Sequence, residues 1–299
     1  MTYPAAMRFL FLNQATARQH IPVQAEDSAI PRIIHQTHSS QDALPPAICE
    51  SIAALRARNP DWDYRFYDDA AVTHFIREAY GATVLAYFNR IDPRYGAARA
   101  DLFRYLLMYR VGGVYLDIKS TARLPLDDIV GSGNRLILTQ WPRNDRFEGA
   151  GRHDWEFAGK IKGGEFQQWH VICPPGHPYL YAVIQAVMRN IDCYIPRMHG
   201  SGRNAVLRLT GPIAYTLAIL PLLAFNQHVL VTDHEALGLD YSVYPGNADH
   251  KRLFRTHYTE LTAPIVRPSP FRFCLSALYG VFDRLRGRRD ADDVGTPIA

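Results

Sequence analysis

Two hydrophobic rhythms alternate along the chain. RIIHQ (32–36), entered through Pro31, and DYRFY (63–67) carry the β-branched and aromatic content of strands, the second with half-buried alternation. Between them PPAICESIAALRARN (45–59) sets Ile48, Ile52 and Leu55 on one helical face, opened by Pro45 and Pro46 and ended by Asn59-Pro60. Asp68 and Asp69 suit an N-cap for AVTHFIREAYG (71–81). GAARADLFRYLLMYRVGG (96–113) has helical periodicity and closes on Gly112 and Gly113, after which VYLDI (114–118) reads as a strand. In the second half RLILTQ (135–140) and QWHVICP (168–174) read as strands and His177 to Ile191 as a helix. A Gly- and Trp-bearing loop joins the two strands, and PRMHGSGRN (196–204) is a further loop. Thr210-Gly211-Pro212 opens an apolar helix running to Phe225.

Strand and helix alternate, so the expected fold is α/β: a mostly parallel central sheet flanked by helices. In such sheets the ligand crevice lies at the carboxyl ends of the strands. No linker divides the chain. The expected organisation is a lead segment (1–29), one body (30–266) and a C-terminal appendage (267–299).

Composition narrows the function. With 47% hydrophobic and 21% charged residues and a net charge of +4, the chain lacks the overall charge of a nucleic-acid binder. Basic character is local: from Arg267 to Arg289 six arginines face one acid, Asp283, among apolar residues three and four apart. That pattern predicts a basic amphipathic helix over 268–289, suited either to an anionic membrane surface or to packing on the body. Cys49, Cys173, Cys193 and Cys274 have no metal-site spacing and suit buried thiols in a reducing compartment. No export signal and no run of 18 apolar residues is visible, which places the expected location in the cytoplasm, with peripheral membrane contact as an extension.

Candidate chemistry gathers at strand ends. Asp117 and Lys119, two apart on a strand, project to one side and could meet one polar ligand; a carboxylate there can hold a sugar hydroxyl or a divalent ion, and an ammonium can neutralise a phosphate. The alternative is a surface ion pair. Asp101 and Arg104 share a face of the preceding helix, either as an exposed salt bridge or as the wall of the same crevice. His35-Gln36-Thr37-His38 ends the first strand with four polar residues, which favours a ligand edge. Thr210 and Gly211 either cap a helix or present its N-terminus to an anionic group. GxSxG, GxxxxGK[ST] and HExxH are absent, as is a GxGxxG after the first strand, which disfavours hydrolase, P-loop and dinucleotide-binding readings.

IPRIIHQTHSS, LPPAI, NPDWDYRFYDD, FIREAYG, RADLFRYLLMYRVGGVYLDIKS and the later TGP resemble, in that order, glycosyltransferase family 32, over about residues 30 to 125. The resemblance implies a GT-A fold, a Rossmann-like nucleotide-sugar domain, and retaining transfer of a hexose from a nucleotide diphosphate sugar to a glycan or lipid-linked acceptor, as in capsule or outer-chain synthesis. It implies that Asp101 and Arg104 hold the donor sugar, that His35, Gln36 and Thr37 line the nucleotide, and that Asp117 is the first carboxylate of the family's Asp-X-Asp motif. The sequence departs from the family where Lys119 replaces the second carboxylate and His38 replaces a tryptophan. Binding of Mn2+ or Mg2+ at Asp117 is therefore in question, with His257 as a further candidate ligand, and Lys119 is expected to supply charge to the departing diphosphate. The alternative is a sugar-nucleotide or glycan-binding protein without catalysis.

Overall fold

The computed structural model describes residues 21–142, 163–244, 261–267, 274, 277 and 278. Strand β1 (Ile33–Thr37) leads into helix α1 (Pro46–Arg58), followed by β2 (Asp63–Tyr67), α2 (Asp69–Arg90), α3 (Gly96–Val111) and β3 (Gly113–Leu116). A short pair, β4 (Thr121–Ala122) and α4 (Leu126–Val130), precedes β5 (Leu136–Thr139), β6 (His170–Cys173) and α5 (Pro178–Cys193). The last part holds α6 (Pro196–His199), α7 (Gly202–Leu209), α8 (Pro212–Ile219), a 3₁₀ turn (Leu220–Leu222), β7 (His228–Val231) and β8 (Leu239–Asp240).

Six strands form one sheet in the order β2-β1-β3-β6-β5-β7, and β4 pairs with β8 apart from it. β1 pairs in parallel with β2 and β3, and β5 in parallel with β7, while β6 runs antiparallel to both β3 and β5. Five strands therefore share one direction and β6 alone is reversed. The sheet is the mostly parallel one expected, with one inversion that local sequence does not encode.

The period-two alternation of the strands divides the core. Tyr115, Leu136, Leu138, Val171 and Cys173 pack with α2, α3, α5, α7 and α8 on one face. Ile34, Val114, Leu116, Ile137 and Ile172 pack on the other with Leu55 of α1 and Leu126 and Ile129 of α4. Helix α3 is the central element: from Asp101 to Tyr109 every side chain is buried, the two charged ones included. Ile265 and Val266 belong to the first of these clusters, and Val266 bridges to Ile91, so the packed core extends to the end of the expected body.

Local chemistry sets the boundaries. The Asp68 carboxylate accepts the Ala71 amide at 2.7 Å and starts α2. The helix does not stop at Gly81 as expected; Gly81 breaks the helical path (φ 79°, ψ −176°) and helical structure resumes to Arg90. The segment 196–204 is not an open loop but contains α6 and the start of α7. Its Gly, Ser and Pro residues punctuate helices there, with Gly200 at a positive φ of 78°. By length and composition Gly202–Leu222 could cross a membrane, but it is interrupted at Thr210-Gly211 and 56% of the window is buried in the protein, as for a core helix. Of the appendage Arg267 is described, its amide bonding to the Arg90 carbonyl at 3.1 Å; of the expected helix over 268–289 Cys274, Ala277 and Leu278 are described, as helical and exposed, and the rest lies outside the described residues.

Candidate functional site

The two glycines after α3 fix the site. Gly112 (φ 68°) ends the helix, its amide bonding back to Met108 O at 2.9 Å, and Gly113 follows at φ 103°. A Cβ on Gly112 would stand 2.6 Å from Cδ of Pro175, and one on Gly113 2.6 Å from the Ile33 carbonyl oxygen. Only glycine fits both the torsion and the space. The helix can thus drop directly into β3, which places the polar residues of α3 against the carboxyl end of that strand.

There Asp101, Arg104 and Asp117 meet. Arg104 Nη2 lies 3.2 Å from Asp101 Oδ1 and 3.0 Å from Asp117 Oδ1. Its Nη1 donates to the Gln168 carbonyl at 2.6 Å, and its guanidinium lies 4.9 Å from the Tyr115 ring centre. Asp101 accepts two further hydrogen bonds, from Thr210 Oγ1 at 2.8 Å and Gln168 Nε2 at 3.1 Å. Burial pushes the Asp101 carboxyl up from its ordinary value, against the opposing pull of Arg104 and the Thr210 hydroxyl. Burial also works against the Arg104 charge, but Asp117 foremost, with Asp101, outweighs it and holds Arg104 protonated. The side chains of Asp101 and Arg104 are each 4% exposed, whereas that of Asp117 is 25% exposed. Asp117 is the member of the trio that a ligand can reach. Asp101 and Arg104, expected to hold a donor sugar, stand directly behind Asp117, with Arg104 bridging the two carboxylates.

Lys119 does not share a strand face with Asp117. β3 ends at Leu116, and the chain turns at once, Ser120 N donating to the Asp117 carbonyl at 2.7 Å. The turn sets Lys119 against Tyr241, its ammonium 3.7 Å from the ring centre. Burial lowers its pKa to about 8, against the upward pull of Asp117, with Arg104 adding to the depression. Its ordinary charge is therefore retained at neutral pH but held weakly.

The β1 residues support this turn. Gln36 Nε2 donates to the carbonyls of Asp117 (3.2 Å) and Ser120 (3.4 Å), and Tyr64 OH donates to Gln36 Oε1 at 3.0 Å. His35 is buried with Nδ1 3.0 Å from Tyr67 OH and Nε2 2.9 Å from the Gly112 carbonyl; burial lowers its pKa to about 4, so the ring is neutral. Thr37 Oγ1 donates to the Tyr67 carbonyl at 2.7 Å. These three side chains, expected to line a nucleotide, tie β1 to β2, to the Gly112 corner and to the turn after Asp117.

Thr210 and Gly211 divide the roles considered for them. Gly211, not Thr210, is the N-cap of α8, and Thr210 ends α7 with its hydroxyl on Asp101. His257 lies outside the described residues. Among the described residues no three histidine, cysteine, aspartate or glutamate side chains stand close enough to hold a metal ion. Asp101 is engaged by Arg104, Thr210 and Gln168, and Lys119 occupies the second motif position, so among the described residues Asp117 is the one motif carboxylate that could meet a cation.

Several residues of the site escaped the sequence reading. Gln168 joins Tyr105 OH (3.1 Å), Asp101 and Arg104, and Tyr241 carries Lys119. Gln168 precedes β6, and only the reversal of β6 brings it to the carboxyl edge of the parallel strands. No local signal announces that reversal.

A family model described as the glycosyltransferase sugar-binding region containing the DXD motif matches residues 45–136, the segment that runs from α1 through Asp101, Arg104, Asp117 and Lys119. The initiation-specific alpha-1,6-mannosyltransferase of Candida albicans is 28% identical over 223 residues, covering 68% of this chain and 57% of that protein. Inositol phosphoceramide mannosyltransferase 3 of Schizosaccharomyces pombe is 26% identical over 164 residues, 55% of this chain and 39% of its own. The chain thus spans about half the length of the relatives it matches or less. Among solved structures the PaToxG glycosyltransferase aligns over 89% of this chain and 90% of its own, with a TM-score of 0.44 and 14% identity. Residues 45–136, which hold the buried Asp101–Arg104 pair and the carboxylate it fixes, are thus the part of the chain that is similar to the DXD-containing glycosyltransferase sugar-binding region.

Proposed function

We propose that this protein is a retaining GT-A glycosyltransferase that moves a hexose from a nucleotide diphosphate sugar to a glycan or lipid-linked acceptor. Mannose is the first donor sugar to test, because the relatives are named as mannosyltransferases. The reading is carried by one observation: a partly exposed carboxylate, Asp117, set by a buried arginine at the carboxyl edge of the sheet inside the family-matched segment. Transfer breaks the bond between the anomeric carbon and the diphosphate oxygen, leaves the electron pair on the diphosphate, and joins that carbon to an acceptor hydroxyl oxygen. The hydroxyl proton passes to a phosphate oxygen or to solvent. Asp117 orients the donor, and the Lys119 ammonium, released from Tyr241, balances charge growing on the leaving diphosphate. The described side chains do not make a complete metal site, so no step is assigned to a cation.

Action on surface polysaccharide or glycolipid at the cytoplasmic face of a membrane, with the basic segment 267–299 resting on anionic lipid, is the setting we propose for this activity. The segments 141–166 and 197–204 are proposed to meet the acceptor; the second is helical, so its contribution would come from the exposed faces of α6 and α7. The test is a thermal-shift screen of nucleotide sugars followed by release of free nucleotide. A donor at 100 times its dissociation constant adds about 2.7 kcal/mol. A donor that stabilises the protein yet is neither hydrolysed nor transferred, with or without Mn2+, would replace the enzyme by a sugar-nucleotide-binding protein, the reading that Lys119 at the second motif position favours.

A further inference from the structure

The carboxyl edge of the sheet carries a second group of side chains that the donor reading does not use. Trp141 follows β5, and Tyr241 follows β8. Their rings touch edge to face at 5.0 Å and 80°, and both residues are partly exposed. Two buried rings stand behind them: Trp169 is 5.5 Å from Tyr241, and His234 is 5.8 Å from Trp141 and 5.2 Å from Trp169. A polar ladder locks that support, Gln167 bridging Thr139 (2.6 Å) and His234 (2.9 Å). Two partly exposed aromatic rings backed by buried ones form a surface for an apolar face with polar edges.

The register places this surface beside the reacting centre. β3 and β5 run in the same direction on either side of β6, with Leu116 opposite His170 and Ile137 opposite Ile172. Counting along the strands, Asp117 and Trp141 flank the entry to β6, separated by two strand spacings, about 10 Å, with Asp117 turned to the Tyr115 face of the sheet and Trp141 packed at the rim of the opposite face. The link is also direct: Asp117 N donates to the Trp169 carbonyl at 2.8 Å, and the ring of Tyr241 that meets Trp141 carries Lys119 on its face. β1 and its polar end lie on the opposite side of β3. Along the edge the order is β1, then Asp117, then the aromatic pair.

We infer that Trp141 and Tyr241 form the acceptor subsite, a platform on which the C–H face of an acceptor pyranose rests while its hydroxyl points towards the donor at Asp117. This rests on the glycosyltransferase reading and adds to it the chemical class of the acceptor group bound, a sugar ring rather than a bare lipid hydroxyl. The aromatic pair lies beyond Asp117 from the β1 end, which is why the ring it takes belongs to the acceptor and not to the donor.

The test uses the full chain with mannobiose as probe and the variants Trp141→Ala and Trp141→Phe. Mannobiose should quench tryptophan fluorescence saturably in the unaltered protein, and the Trp141→Phe protein should lose that quenching. With mannobiose as acceptor, KM for the acceptor should rise about tenfold in Trp141→Ala and much less in Trp141→Phe. Donor hydrolysis with water as acceptor should keep its kcat and its donor KM in both variants. Quenching that is absent from the unaltered protein, or that survives Trp141→Phe, overturns the inference. So does a donor KM that rises with the acceptor KM, which would seat the donor sugar on the ring. Failure of the glycosyltransferase reading shows differently, as no donor hydrolysis by the unaltered protein, and the quenching experiment still reads the platform.

Discussion

Replacing Thr210 by valine isolates the hydrogen bond that holds Asp101 on the side away from Arg104. Thr210 is fully buried and donates to Asp101 Oδ2 at 2.8 Å, while valine has nearly the same shape and no donor. No cavity is created, so the cost is that of a carboxylate oxygen left short of a partner, about 1.5–3 kcal/mol for a bond to a charged group. At about 2–4 °C per kcal/mol for a chain of this size, the melting temperature should fall by roughly 3 to 12 °C. Thr210→Ser keeps the hydroxyl and should recover most of the loss. The specific partner is checked by a double-mutant cycle in thermal or urea denaturation: Thr210→Val and Asp101→Asn should be non-additive by about 1 kcal/mol or more, because both act on one contact. A valine variant that melts with the unaltered protein, a serine variant as unstable as the valine one, or an additive cycle would each refute the reasoning.

Lys119→Ala should lower turnover more than it weakens donor binding, and activity of the unaltered protein should survive chelator; complete loss with chelator, restored by divalent ion, would show that Lys119 has not taken the metal's place. Gly113→Ala should destabilise the fold by about 2 kcal/mol or more, read from urea denaturation, because its Cβ would meet the Ile33 carbonyl at 2.6 Å with φ at 103°; a variant of unchanged stability would mean that the corner can relax. Stability should also fall on acidification. Burial lowers the pKa values of His35 and His177 to about 4 and of His170 to about 3, so the folded protein keeps these rings neutral while the unfolded chain protonates them near 6.5. Their stabilisation is complete above about pH 6.5 and is lost as pH falls towards 4, each ring contributing up to about 1.4 kcal/mol per pH unit, and equal urea midpoints at pH 7 and pH 5 would contradict this.

The elements most legible in the sequence were those whose own residues decide them. β1, β2, α1 and α3 lie within a residue or two of their expected limits, because proline, asparagine, paired glycines and the hydrophobic period act locally. The meeting of Asp101, Arg104 and Asp117 was foreseen from their placement around Gly112-Gly113. Their division of labour was not, since burial of both charges on α3 depends on how much of the chain packs over that helix. The strand pattern carries β3 to Ile118, but β3 ends at Leu116, and the hydrogen bond from Ser120 to Asp117 makes the stretch that holds Asp117 and Lys119 a turn. Gln168, Trp141 and Tyr241 became part of the edge only through the reversed β6 and the β4–β8 pairing, both of which join residues far apart in sequence.

The side chains around Asp117 also balance in charge. Among the described residues in contact there, two carboxylates, Asp101 and Asp117, stand against one guanidinium and one ammonium, so this group of four carries no net charge to draw in a diphosphate. Long-range steering would then contribute little to donor capture, and the association rate should vary only weakly with ionic strength, unlike that of a site built on uncompensated lysines and arginines. Recognition at such a centre works at contact distance, through the orientation of one carboxylate and the release of one lysine from an aromatic ring.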